Sequence, residues 1–180
     1  MRPERIEPGE GQESVWDYPR PPILMPYVGR VRVVHGGVTI AHTTAAIRVL
    51  ETSQPPGFYV PRTDVRVDLL RPTATTTMCE WKGAATYWDL SLGSSDVDVD
   101  GDGDGDGDSD VIVREAAWSY ERPTTQFASL AGHLAFYAQK LDECWVDDEQ
   151  VLANPGNFYG GWITSAVVGP FKGVPGSMGW

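Results

Sequence analysis

Apolar runs in this chain are short, and turn residues break nearly every one of them. Arg30-Val31-Arg32-Val33-Val34-His35 alternates loosely, Gly36-Gly37 turns, and Val38-Thr39-Ile40-Ala41-His42 returns, the signature of a β-hairpin. Phe58-Tyr59-Val60 reads as a strand closed by Pro61, and Thr75 to Cys79 and Ala84 to Leu92 read as two more. Val111 to Trp118 is the returning strand, followed by Leu134 to Tyr137 and Cys144 to Val146, with Asp147-Asp148 as a turn. Helical signals are confined to Ala45–Glu51 behind Thr43 or Thr44, a turn after Thr63-Asp64, and Phe127–Ala131 behind Thr124 or Thr125. Phe158 to Trp180 is rich in glycine and aromatics without periodicity and is expected to pack as an irregular strap. Many short strands with two or three short helices define a mainly-β class.

The net charge of −11 has to be divided before it is used. Eight aspartates occupy alternate positions from Asp96 to Asp110, and without them 17 acidic residues face 14 basic ones, a net of −3. The acidic segment 94–110 is therefore expected to be a hairpin-loop insertion, tolerated because loop-closure entropy grows slowly with length. A calcium loop starting at Asp96, Asp98 or Asp100 would need a glutamate where Gly107, Ser109 or Val111 stands. A basic nucleic-acid footprint is lacking, as is a run of the ~20 apolar residues that a membrane-spanning helix needs. Residues 1–13 are rich in Pro, Glu and Gly and read as disordered, leaving residues 14–180 as a single β-rich domain. Cys79 and Cys144 are too few for a disulfide framework, which makes a cytoplasmic location the default. Low lysine (3 against 11 Arg) with high aspartate (15 against 10 Glu) is the composition expected of a salt-loaded, halophilic cytoplasm.

One segment concentrates reactive side chains. Cys79-Glu80-Trp81-Lys82 sets a thiol, a carboxylate, an indole and an ammonium side by side, directly before an aromatic strand. Cys79 admits two readings, a nucleophile or redox thiol and a small buried hydrophobe. Lys82 either presents its charge to an anionic ligand, with Trp81 beside it, or forms a surface ion pair. Glu51 is read as ending an apolar helix, near Tyr59, Arg62 and Asp64. Paired with Arg62 or Lys82 it serves as a general base or as half of a structural ion pair. His35, His42, His133 and the two cysteines lack zinc-ligand spacing, so a metal is not expected, and His133 is the histidine placed nearest Cys79. The 19 aromatics exceed what a small core uses, and some are expected to line a cavity.

The chain resembles a widespread microbial domain-of-unknown-function family whose hallmark is Cys-x-Trp-Lys-Gly, here Cys79 to Gly83. Further matching blocks are Ser14-Val15-Trp16-Asp17-Tyr18-Pro19, Val49 to Ser53, Phe58 to Arg62, Ala117 to Tyr120 and Phe158 to Thr164. The resemblance implies a compact, tent-like, all-β fold of two small antiparallel sheets, and a nucleotidyltransferase-like label travels with it. No phosphate-binding glycine loop precedes a carboxylate pair here. The reading that results is a protein that binds a small anionic or planar metabolite, its cofactor unknown. Tyr59, Arg62, Trp81, Tyr87, Trp118 and Tyr137 are the candidate ligand-binding residues, with Cys79, Lys82 and Glu51 as candidate catalytic groups. The alternatives are an enzyme using the same pocket, nucleotidyltransferase-like or thiol-dependent, and a protein-interaction module using the C-terminal Gly-aromatic tail.

Overall fold

Alternation of side chains along paired strands organises the molecule. The computed structural model describes residues 3–93, 110–156, 158–177 and 179–180. In chain order the strands are β1 (Glu13–Ser14), β2 (Ile23–Pro26), β3 (Val31–His35), β4 (Val38–Thr43), β5 (Ile47–Leu50), β6 (Gly57–Pro61), β7 (Leu70–Cys79) and β8 (Gly83–Leu92). They continue as β9 (Val111–Ser119), β10 (His133–Phe136), β11 (Glu143–Val146), β12 (Glu149–Gln150), β13 (Leu152–Ala153), β14 (Trp162–Ile163) and β15 (Val167–Val168). A seven-stranded sheet runs in the order β2-β5-β6-β10-β9-β8-β7, and a four-stranded sheet in the order β12-β11-β3-β4. Every pair in these two sheets is antiparallel. The mainly-β expectation is met, as are the hairpin through Gly36-Gly37 and the strands β6 to β11.

The helices differ from expectation. Five short 3-10 segments (Val15–Asp17, Arg62–Asp64, Val67–Leu69, Thr125–Leu130 and Ala138–Lys140) replace them, and no α-helix occurs among the described residues. Ala45–Glu51, read as a helix, instead contributes β5, which pairs with β2 through Ile23↔Leu50 and with β6 through Ile47↔Tyr59. Ile47 and Val49 are β-branched and suit a strand bonded on both edges, whereas a helix of two turns is marginal by itself. The segment after Thr124 is kinked at Phe127 (φ −109°), and Thr124 does not cap it. Its hydroxyl donates instead to the carbonyl of Trp81 at 2.6 Å.

The main core lies between the two sheets. Val31 and Val33 of β3, Ile40 of β4, Phe58 and Val60 of β6, and Leu134 and Phe136 of β10 are all buried in it. Trp162, reached from the strap, stacks on Phe58 at 5.4 Å and donates its indole N–H to the Phe136 carbonyl at 2.9 Å. Each such side chain contributes roughly 1.5–3 kcal/mol by burial. The strap is irregular apart from β14 and β15, which pair with β13 and β1. Residues 3–12, read from composition as disordered, include Ile6, whose N–H donates to the Gly169 carbonyl. β8 and β9 pair as far as Leu92↔Val111, and residues 94–109, where nearly all of the acidic segment falls, lie outside the described residues. No helix among the described residues is long and apolar enough to cross a membrane, which says nothing of a β-barrel.

Candidate functional site

The strands that bury Phe58, Leu134 and Phe136 on one face present Tyr59, Ala135 and Tyr137 on the other, because successive side chains alternate. Trp118 and Tyr120, two residues apart at the end of β9, join this second face. Indoles and phenols dominate it, and they surround a cavity of about 600 Å³, within the range of small-molecule sites.

The Cys-x-Trp-Lys-Gly segment is a tight turn. Cys79 and Gly83 are cross-strand partners, and Glu80-Trp81-Lys82 loop between β7 and β8. Gly83 takes φ +97°, a conformation that a side chain would strain, which accounts for glycine there. Thr124 clamps the turn from below, its hydroxyl on Trp81 and its N–H on the Lys82 carbonyl at 3.2 Å. The turn thus aims Trp81 and Lys82 at the cavity.

Eight of the nine candidate residues line that cavity: Cys79, Lys82, Glu51, Tyr59, Trp81, Tyr87, Trp118 and Tyr137. Arg62 does not. Its guanidinium lies 4.8 Å over Trp88, which packs against the apolar core, and it pairs with Glu121. Glu51 pairs neither with Arg62 nor with Lys82 but with Arg20, whose Nε lies 3.8 Å away and whose Nη2 reaches Glu80 at 3.2 Å. Asp64 accepts from the Thr43 hydroxyl at 2.6 Å, apart from the cavity. His133 is not a lining residue, and its Nδ1 faces the Ala131 carbonyl rather than Cys79.

Other lining residues were not anticipated. Lys140 and Lys172 join Lys82, so all three lysines of the protein line one cavity. Each lies over a tyrosine ring: Lys82 over Tyr120 at 5.8 Å, Lys140 over Tyr137 at 5.1 Å and Lys172 over Tyr159 at 5.7 Å. The scarcity of lysine was the available signal, and it applied to all three positions equally. Tyr120 was legible too, since it shares a strand face with Trp118 at a spacing of two. Glu115 had no signal: a bulge between Trp88 and Leu90 and a φ of +49° set its position, with its N–H donating to Asp89 at 2.7 Å.

A hydroxyl network fills the cavity floor. Trp118 donates to the Tyr59 hydroxyl at 3.0 Å, Tyr87 and Thr77 share a hydrogen bond of 2.9 Å, and the Cys79 thiol lies beside the Tyr120 phenol. Burial, followed by the proximity of Tyr59, Cys79 and Tyr87, pushes the Tyr120 phenol far above its ordinary range. Burial does the same to Tyr59 and Tyr137. These phenols therefore stay protonated and can donate at any physiological pH. The strap closes one wall. Gly160 lies so near Trp118 that a Cβ there would collide with the indole and come 3.1 Å from Tyr137 Cε1. Among the described residues no three His, Cys, Asp or Glu side chains converge as a metal site would require.

Comparison with known proteins returns one family. The model described as Domain of unknown function (DUF427), labelled NTP_transf_9, matches residues 23–147, about two-thirds of the chain. No curated protein matches.

Proposed function

Because the chain belongs to the family described as a domain of unknown function, DUF427, we propose a function from the cavity itself: binding of a small anionic or planar metabolite beside Cys79–Gly83. The observation that carries this reading is the gathering of all three lysines onto one aromatic-lined cavity. Chance would scatter three lysines over the surface, where Arg5, Arg30, Arg66 and Arg114 serve as ion-pair partners. Here the ammonium groups and the phenols together make a donor-rich, partly apolar enclosure suited to an acid with a flat body. In this reading the Gly-aromatic strap is a cavity wall rather than a docking tail, since Phe158, Tyr159, Gly160 and Gly161 all line it. In architecture we take the seven- and four-stranded sheets as the two slopes of a tent, with the cavity on the outer slope of the larger one. The unpaired thiols of Cys79 and Cys144 support a reducing, cytoplasmic setting.

Thermal unfolding in concentrated KCl, against a panel of aromatic acids, acyl compounds and nucleotides, tests the proposal. A ligand at about 100 times its dissociation constant adds ~2.7 kcal/mol, several degrees for a chain of this size. A shift that Trp118→Ala removes supports the reading; no shift with any compound sinks it.

A further inference from the structure

The three lysines are not equivalent. Lys140 Nζ donates to the carbonyls of Arg114 and Glu115 at 3.1 and 3.0 Å, and Lys172 Nζ donates to the Trp180 carbonyl oxygen at 3.3 Å. Arg20 is engaged by Glu51 and Glu80. Lys82 stands apart: the residue is 8 % exposed, and among the described residues its ammonium has neither a hydrogen bond nor an ion pair, only the Tyr120 ring beneath it. Its stem is buried while the ammonium itself opens on the cavity, and no acceptor for it occurs among the described residues, so a ligand is free to supply one.

The carboxylates set the opposite limit. Glu51 and Glu80 are matched by Arg20, but Glu115 brings a third negative charge to the lining, and among the described residues no cation pairs with its side chain. A chain of phosphates needs several free cations or a metal to neutralise it. The described lining sets four cations (Arg20, Lys82, Lys140 and Lys172) against three carboxylates (Glu51, Glu80 and Glu115), a net of one positive charge, and of these cations Lys82 is the one without a protein acceptor.

From this inventory we infer that the ligand carries one compact oxyanion group, a carboxylate or a phosphate monoester, seated on Lys82. Its planar body lies against Trp81, Trp118 and Tyr137, and a nucleoside triphosphate is the wrong charge for the site. The inference rests on the cavity being a metabolite site, as proposed above, and narrows its chemistry. The buried phenols assist, since they remain hydrogen-bond donors to the same group.

Titration calorimetry on the full chain tests it with four probes: indole-3-carboxylate, phenyl phosphate, neutral indole-3-carboxamide and ATP. A charged hydrogen bond is worth ~1.5–3 kcal/mol. One of the two acids should therefore bind roughly tenfold or more tighter than the carboxamide. Which acid wins tells carboxylate from phosphate, and ATP should bind more weakly than either. In Lys82→Met the ratio of acid to carboxamide affinity should collapse toward one while carboxamide binding persists. Equal affinity for acid and carboxamide in the parent protein overturns the inference without any variant, and leaves the cavity reading standing. ATP binding more tightly than both acids does the same. If no probe binds, the carboxamide included, the metabolite reading fails together with the inference.

Discussion

The two faces of the seven-stranded sheet are built from the same strands, yet they solve different problems. On β6 and β10 the residues Phe58, Val60, Leu134 and Phe136 turn inward to an apolar core, while Tyr59 of β6 and Tyr137, just past the end of β10, turn outward to the cavity. The inner face is closed by packing. The outer face holds phenols, indoles and three lysines around unfilled space. The cysteines mark the contrast: Cys144 is buried in the inner core and burial pushes its thiol up to about 12, whereas Cys79 is half-buried on the wall of the cavity. A strand register therefore decides between structure and site, and a slip of one residue would exchange them.

Substitutions should separate the faces. Phe136→Ala, at 1 % exposure, should cost ~3–5 kcal/mol in urea unfolding, as deletions of buried aromatics do. A cost near zero would break the distinction. Gly160→Ala drives a methyl into Trp118 and Tyr137 and should cost ~1–3 kcal/mol while reshaping the cavity. If both stability and ligand-induced shifts survive it, the strap is not a wall of the site.

Alkali should loosen both faces. Cys144 is pushed up to about 12 from 9.0, and Tyr59, Tyr120 and Tyr137 are raised from 10.0, all chiefly by burial. These are acids whose neutral form the fold favours, so the unfolded chain releases its protons first. Their contribution is complete below about pH 9 and is lost as pH climbs through the folded-state values. Urea midpoints compared at about pH 8 and about pH 11 should fall; an unchanged midpoint would contradict the burial of these groups.

Smaller effects belong to the outer face. Lys82→Met removes an ammonium that, among the described residues, has the Tyr120 ring but no hydrogen bond or ion pair, so stability should change by less than about 1 kcal/mol or rise, in contrast with Phe136→Ala. A loss as large as that of the core variant would show that Lys82 is structural. Thiol labelling of the native protein should modify Cys79 well before Cys144, with no effect on stability.

What could be read from residues alone follows the same division. Hairpin strands announce themselves through local turn chemistry, as Gly36-Gly37 and Gly83 do. The β5 strand does not, because Ala-Ala-Ile-Arg-Val-Leu is compatible with a helix and only pairing with β2 and β6 decides it. Eight of nine candidate site residues converge because they sit on aromatic strands or on the turn between them. Arg62 fell on the wrong face, since Pro61 ends β6 and the 3-10 turn that follows carries Arg62 over Trp88. Lys140 and Lys172 lie 58 and 90 positions from Lys82 in the numbering, and only tertiary structure brings them together.

The most direct test of the two-face account is the set of tryptophan indole N–H resonances, followed by two-dimensional NMR as indole-3-carboxylate is added. The account predicts that Trp81 and Trp118, on the cavity, shift with a common saturation curve while Trp162, in the core, stays fixed. Shifts at Trp162 without any at Trp81 and Trp118, or no shifts at all, would contradict it.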